Sequence, residues 1–293
     1  MKFGQIEDPE KQPLPPSRRK FGKFPREKVA VAVGLGMWNR LKIKNFYPRG
    51  VTAELPYYSS QFNSIELNAT FHKIFAPSQI RDWKEMTAPY FTFVPKVPKE
   101  ISHVRRLRDF KEITFKFVES ISNFGEKLGP VFVQAHNDFG PQDFGYLREF
   151  VENWKQFGIP LAVEVRNAEW HNEPFAGDYY RFLEQNDVAN VLIDTAGRRD
   201  LLHMRMTTQT PFIRWVGCNN DEIDYTRLDA WAGRISEWQA DGLRGIGFFI
   251  HQNDERESAK LAAYFIQKLN DLGVTDLEAP TILNAPAPHL LQT

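Results

Sequence analysis

A single cysteine, Cys218, stands in a chain of 293 residues. One thiol closes no internal disulfide, so burial and hydrogen bonding must hold the fold, and a reducing compartment, the cytoplasm, is the expected location. Net charge is missing as well, because 37 basic residues balance 37 acidic ones. The overall field therefore steers the chain toward neither nucleic acid nor an anionic membrane, and any anion binding must be local. No apolar run approaches the roughly 20 residues that cross a bilayer. The first 27 residues are polar, proline-bearing and basic without an apolar core, so neither a secretion signal nor a membrane partner is expected. Disorder is excluded for most of the chain by its 42% hydrophobic and 14% aromatic content.

Between two proline-bearing ends, short apolar runs alternate with helical patterns. Eight strands are expected, at 29–36, 64–70, 91–97, 131–136, 161–167, 188–195, 211–217 and 245–252. Helical spacing of apolar residues occupies 109–127, 143–157, 224–240 and 256–270. Strand alternating with helix specifies parallel βαβ units, and eight such units predict an α/β fold of the (β/α)8 TIM-barrel type. The stretch 196–210 carries no helical period, so one crossover is expected to be an irregular loop. An open doubly wound sheet is the alternative, but Gly34 and Gly36 alone make a weak phosphate-turn signal. Three segments follow: an N-terminal basic arm over 1–26, a barrel domain over 27–272, and a proline-containing tail over 273–293.

Seven of the apolar runs finish on polar or charged side chains, and in three of them two such residues stand two apart: Glu66 and Asn68, Gln134 and His136, Glu164 and Arg166. In a strand, residues i and i+2 point to the same face, so each pair projects together into one space. Buried, unpaired charges would cost more than a domain's net stability, which requires a wet cavity or partners there. The C-terminal ends of barrel strands are where such a cavity forms.

Glu66 and Glu164 are the candidate catalytic carboxylates, as acid, base or substrate acceptor; the bland reading of Glu66 is a buttress for an arginine across the barrel. Asn68, Lys96, His103, Gln134, Arg166, Trp170, Asp194, Arg214 and His251 are the candidate substrate-binding residues. Glu164, Arg166 and Trp170 together suggest a carboxylate, a guanidinium and an aromatic plate suited to a sugar or nucleoside. Because i and i+2 on one strand pair awkwardly, Glu164 and Arg166 are expected to engage other groups. Lys96 suits anion binding or charge pairing with Glu66 better than covalent chemistry, and Arg214 stands where many barrels hold phosphate. Asp194 would orient a basic partner or ligate a metal.

No cofactor is expected. Glu66, His103, His136, Glu164, Asp194 and His251 are ligand types for a divalent metal, but no HxH, HExxH or CxxC spacing accompanies them. A retaining glycosidase would need two carboxylates about 5 to 5.5 Å apart, and Gln134 and Arg214 stand where many barrel glycosidases place theirs. Cys218 has no histidine base beside it in sequence and is read as incidental. For nucleic acid, the basic segments Arg18 to Lys28 and His103 to Lys111 interleave Phe21, Phe24 and Phe110, a weak signal without excess positive charge.

Several of these segments, taken in order, resemble the YecE-like family, domain of unknown function 72 (DUF72). The resemblance runs from about Val31 to Ala263 and is carried by Trp38 with Tyr47 and Pro48, YYSSQFNSIELNATF, FTFVPKVPKEISH, Gln134 with Phe139, LAVEVRNAEW, Asp194, and FIRWVG. It implies a TIM-barrel-like fold with a polar mouth and no particular activity. Two places depart from the family pattern: Val216 follows Trp215 where histidine is usual, and Ile250, His251 and Gln252 stand where a pair of asparagines is common. The reading is an enzyme, a hydrolase or lyase, acting on a small anionic or polyhydroxylated substrate by carboxylate chemistry. Its rivals are a non-catalytic binder of nucleic acid or sugar phosphate, and a metal-dependent phosphoesterase related in fold to barrel endonucleases.

Overall fold

A computed structural model describes residues 12–17 and 27–283. Most of the N-terminal arm, including Arg18 to Arg26, and the tail beyond residue 283 lie outside the described residues. The described part is an α/β fold with parallel strands: β1 (Ala30–Leu35), β2 (Ser64–Leu67), β3 (Thr92–Pro95), β4 (Val131–Gln134), β5 (Leu161–Glu164), β6 (Ala189–Asn190), β7 (Leu192–Thr195), β8 (Phe212–Val216) and β9 (Gly245–His251). The α-helices among them are α1 (Glu54–Gln61), α2 (Ala69–His72), α3 (Pro77–Glu85), α4 (Lys111–Ile121), α5 (Phe144–Trp154), α6 (Phe175–Gln185), α7 (Asp221–Ala240) and α8 (Ser258–Asp271).

The strands form three parallel sheets, ordered β1-β9-β8-β7, β2-β3 and β4-β5-β6, so the ladder is not closed into the single ring that the sequence predicts. Each interruption has a local cause. The expected strand at 188–195 divides at Val191, whose N–H bonds to Val163 O on the β5 side, while Leu192–Thr195 turns to pair with β8. Between β1 and β2 a side chain stands in for a ladder rung: the Asn63 amide accepts from Val33 N–H at 2.9 Å and donates to Val31 O at 2.8 Å. Gly34 permits that approach, since a Cβ there would lie 2.3 Å from Ser64 O. Bridges at Phe93–Leu128 and Lys96–Phe132 join β3 to β4.

Several polar residues expected at strand ends lie just past them. β2 stops at Leu67, and Asn68 turns the chain into α2; β5 stops at Glu164, leaving Arg166 in the following loop. Helix α7 starts where Asn220 accepts from the Ile223 N–H, with Asp221, Glu222 and Asp224 favourable in its first turn. The crossover at 196–210 holds only a short 3₁₀ turn, Arg199–Leu201, as its sequence predicts. Residues of the arm lie against the fold, with Pro15 O accepting from Arg234 at 2.6 Å and Gln12 O from Arg199. No helix of the described residues is long and apolar enough to cross a membrane.

Burial sorts the strand residues into two faces. The larger core packs one face of the sheets against the helices. A smaller apolar cluster gathers Val94, Phe132, Ala162, Val191, Ile193, Phe212 and Phe249, drawn from all three sheets. Two residues further along the chain from five of these stand Lys96, Gln134, Glu164, Arg214 and His251, and by strand alternation they share that inward face.

Candidate functional site

Above the inner apolar cluster, the strand ends carry one connected polar network. Arg214 is its centre: Nε and Nη2 donate to Glu66 at 2.7 and 2.8 Å, and Nη1 donates to Glu164 at 2.6 Å. Glu164 also accepts from Arg166 Nε at 2.7 Å and from the Gln134 amide at 2.6 Å. Glu66 accepts from Asn68 at 2.9 Å and lies 3.1 Å from His251 Nε2, whose Nδ1 is 3.3 Å from Glu255. Lys96 Nζ donates to Gln134 Oε1 at 3.0 Å and faces the Phe71 ring at 4.3 Å.

The two carboxylates are wholly buried. Burial alone would raise their pKa values, but neighbouring cations outweigh it. Arg214 and His251 hold Glu66 well below the ordinary carboxylate range, and Arg214, Arg166 and Lys96 hold Glu164 at about 2. Burial lowers His251, yet Glu66 and then Glu255 raise it to about 9, so the imidazole is charged near neutrality. Burial, followed by the nearby Arg214 guanidinium, brings Lys96 down to about 8. At the rim, burial followed by the charge of Lys96 lowers His103 to about 4, and its ring lies edge-on to Phe71 at 4.8 Å and to His136 at 5.5 Å.

The structure thus brings together Glu66, Asn68, Lys96, Gln134, Glu164, Arg166, Arg214 and His251, with His103 at the rim. Arg166 corrects one expectation. It does pair with Glu164, because β5 has ended and the loop lets the long side chain fold back. Asp194 is not in the group. Ile193 takes the inward position, so Asp194 points to the helix layer, where it accepts from Arg227 Nη2 at 2.6 Å and Trp231 Nε1 at 2.7 Å and pairs with Arg199. Trp170 is not a plate for substrate: it is fully buried among Phe139, Phe144 and Tyr179, and its Nε1 donates to Phe139 O at 2.8 Å. The aromatic surface near the amine is instead Phe71, whose place directly after α2's Thr70 gave no period to find it by. Glu255 joins the network although its sequence position gives no sign of it, since only the turn after β9 brings it back to His251.

The basic run Arg105, Arg106 and Arg108 pairs with Glu100, Asp138 and Asp143. Cys218 is half-buried against Asp224, and burial followed by that carboxylate pushes its thiol up to about 11, away from nucleophilic use. Among the described residues, no three histidine, cysteine or acidic side chains are grouped to hold a metal.

An α/β fold of parallel sheets with a buried arginine–carboxylate network at the strand ends defines the class of this molecule. The chain belongs to the family described as "Protein of unknown function DUF72", which matches residues 32–283. It is 25% identical over 251 residues to the UPF0759 protein YecE of Escherichia coli, covering 79% of this chain and 89% of that protein. To the UPF0759 protein YunF of Bacillus subtilis it is 29% identical over 167 residues, 53% of this chain and 57% of that one. Two crystal structures share the fold. A DUF72 family protein from Enterococcus faecalis superposes with a TM-score of 0.66 at 18% identity, over 83% of this chain and 98% of that one. Another, from Thermotoga maritima, gives 0.63 at 21% identity, over 82% and 99%.

Proposed function

We propose that the three sheets are the walls of one (β/α)8-type barrel and that its strand-end mouth is the active site of an enzyme acting on a small anionic substrate. The observation that carries this reading is a charge imbalance. Lys96, Arg166, Arg214 and charged His251 face Glu66, Glu164 and Glu255, four cations against three carboxylates, and no described carboxylate lies within 4.0 Å of Lys96 Nζ. A buried cation without a counter-charge is costly, and an anionic group on the substrate is its natural partner. Lys96 and Arg166 receive that group, while Asn68, Gln134 and His103 supply hydrogen bonds to its polar atoms.

Glu66 and Glu164 act on this reading as positioning residues. A carboxyl group held well below the ordinary carboxylate range is a poor proton donor at neutral pH, and both are already engaged by Arg214. Their work is to fix the guanidinium and, through Gln134, the lysine. Neutral His103 at the rim is the better-placed proton carrier. Titration calorimetry with inorganic phosphate and with pyruvate tests the proposal: K96M is expected to weaken anion binding by about tenfold or more, the cost of a lost charge-assisted contact. Equal affinity in wild type and K96M would overturn it.

A further inference from the structure

Lys96 differs from the other cations of the strand-end network in what surrounds its charge. Arg214, Arg166 and His251 each touch a carboxylate at 3.1 Å or less. The described hydrogen bond from Lys96 Nζ goes to a neutral amide, Gln134, and the amine otherwise faces the rings of Phe71 at 4.3 Å and Phe132 at 5.7 Å. An amine desolvated against aromatic walls beside another cation is the arrangement that turns lysine from an ion into a nucleophile.

We propose that Lys96 forms an imine with a small aldehyde or ketone that carries an anionic group. This deepens the anion-site reading and rests on it for the substrate's charge. In the step, the lone pair of neutral Nζ adds to the carbonyl carbon, the carbonyl π pair moves to oxygen, and one proton passes from nitrogen to that oxygen. The carbinolamine hydroxyl then takes up a second proton and leaves as water while nitrogen's lone pair forms the C=N bond, and the iminium releases its N–H proton to give the imine. Amine and carbonyl thus become imine and water, with no oxidant or reductant consumed.

The surroundings serve each stage. A pKa of about 8 leaves an appreciable neutral fraction near pH 7.5, far more than an exposed lysine has. Gln134 Oε1, 3.0 Å from Nζ, accepts from the ammonium and equally from a protonated imine. His103 also packs edge-on against the Phe71 ring, neutral near pH 7, with Ser102 Oγ 2.9 Å from its Nδ1. Its Nε2 is the candidate to carry the proton to and from the carbonyl oxygen. Arg166 is on hand for the anionic group.

Reductive trapping tests the inference. The full-length protein is incubated with cyanoborohydride and either pyruvate or acetaldehyde at pH 7.5, and modified lysines are located by peptide mass mapping. Pyruvate is expected to place one carboxyethyl group on Lys96 about tenfold or more faster than on exposed Lys42, and K96R is expected to lose that fast phase. Fast labelling of Lys96 by acetaldehyde but not by pyruvate would keep the nucleophile and overturn the anion site. Lys96-dependent phosphate binding with no fast labelling by either carbonyl compound would keep the anion site and overturn the imine. Labelling spread evenly over exposed lysines, with Lys96 unmodified, would likewise overturn it.

Discussion

Arg214 makes three hydrogen bonds to two buried carboxylates, and removing one side of such a pair leaves the other charge stranded. R214M is therefore expected to lose about 3–5 kcal/mol of stability in urea unfolding. E164Q is expected to lose a substantial share of that, because its oxygens serve Arg214, Arg166 and Gln134 together. An E164Q protein as stable as the wild type would contradict the positioning role and return Glu164 to acid/base chemistry. Lys96 has the opposite sign. Its folded pKa, about 8, is below its unfolded value, so the charged form costs stability at neutral pH and the cost fades as pH rises from about 8 toward 10.5. K96M should thus melt several degrees higher than the wild type at pH 7, with the gap closing by pH 10. His251, raised to about 9 from 6.5, contributes stability that is fully present below pH 6.5 and lost as pH climbs through 9. Unfolding midpoints between pH 6 and 9.5 should fall more steeply for wild type than for H251Q.

At the scale of the elements, alternation in strands decided which predicted residues met. Phe132 with Gln134, Ala162 with Glu164 and Phe212 with Arg214 keep a period of two, and reading inward from those apolar residues places the polar ones correctly. Asp194 failed for the same reason: Val191 and Ile193 face inward, which sends Asp194 to Arg227 and Trp231 beneath α7. The period was visible in the sequence, but the break after Val191 that fixes its phase was not. Trp170 was misplaced because a single aromatic after a strand carries no sign of whether it faces a pocket or a helix. W170A is expected to cost about 3–5 kcal/mol as a core truncation, with anion affinity unchanged in the folded fraction. A full loss of binding with unchanged stability would restore the plate. Arg166 and Glu255 were hard to assign for a third reason, since their contacts depend on loop paths that no local pattern encodes.

For the whole molecule, the order of the strands, the parallel direction, four of the α-helices (α4, α5, α7 and α8) and the irregular crossover at 196–210 could be read from alternating apolar runs and helical spacing. Continuity of the ladder could not. The gap between β1 and β2 depends on one asparagine side chain, and the split of β6 from β7 on a single residue, neither of which alters the hydrophobic pattern. Charge tells a similar story: a chain of zero net charge gathers four cations against three carboxylates in one largely buried network. That local excess is the centre of the account, and crystals grown with bromide would test it most directly. An anomalous peak within hydrogen-bonding distance of Lys96 Nζ, at the ends of the strands and above Phe132, is the predicted result. Peaks confined to surface arginines and lysines, with Lys96 still turned only to Gln134 and its aromatic walls, would contradict it.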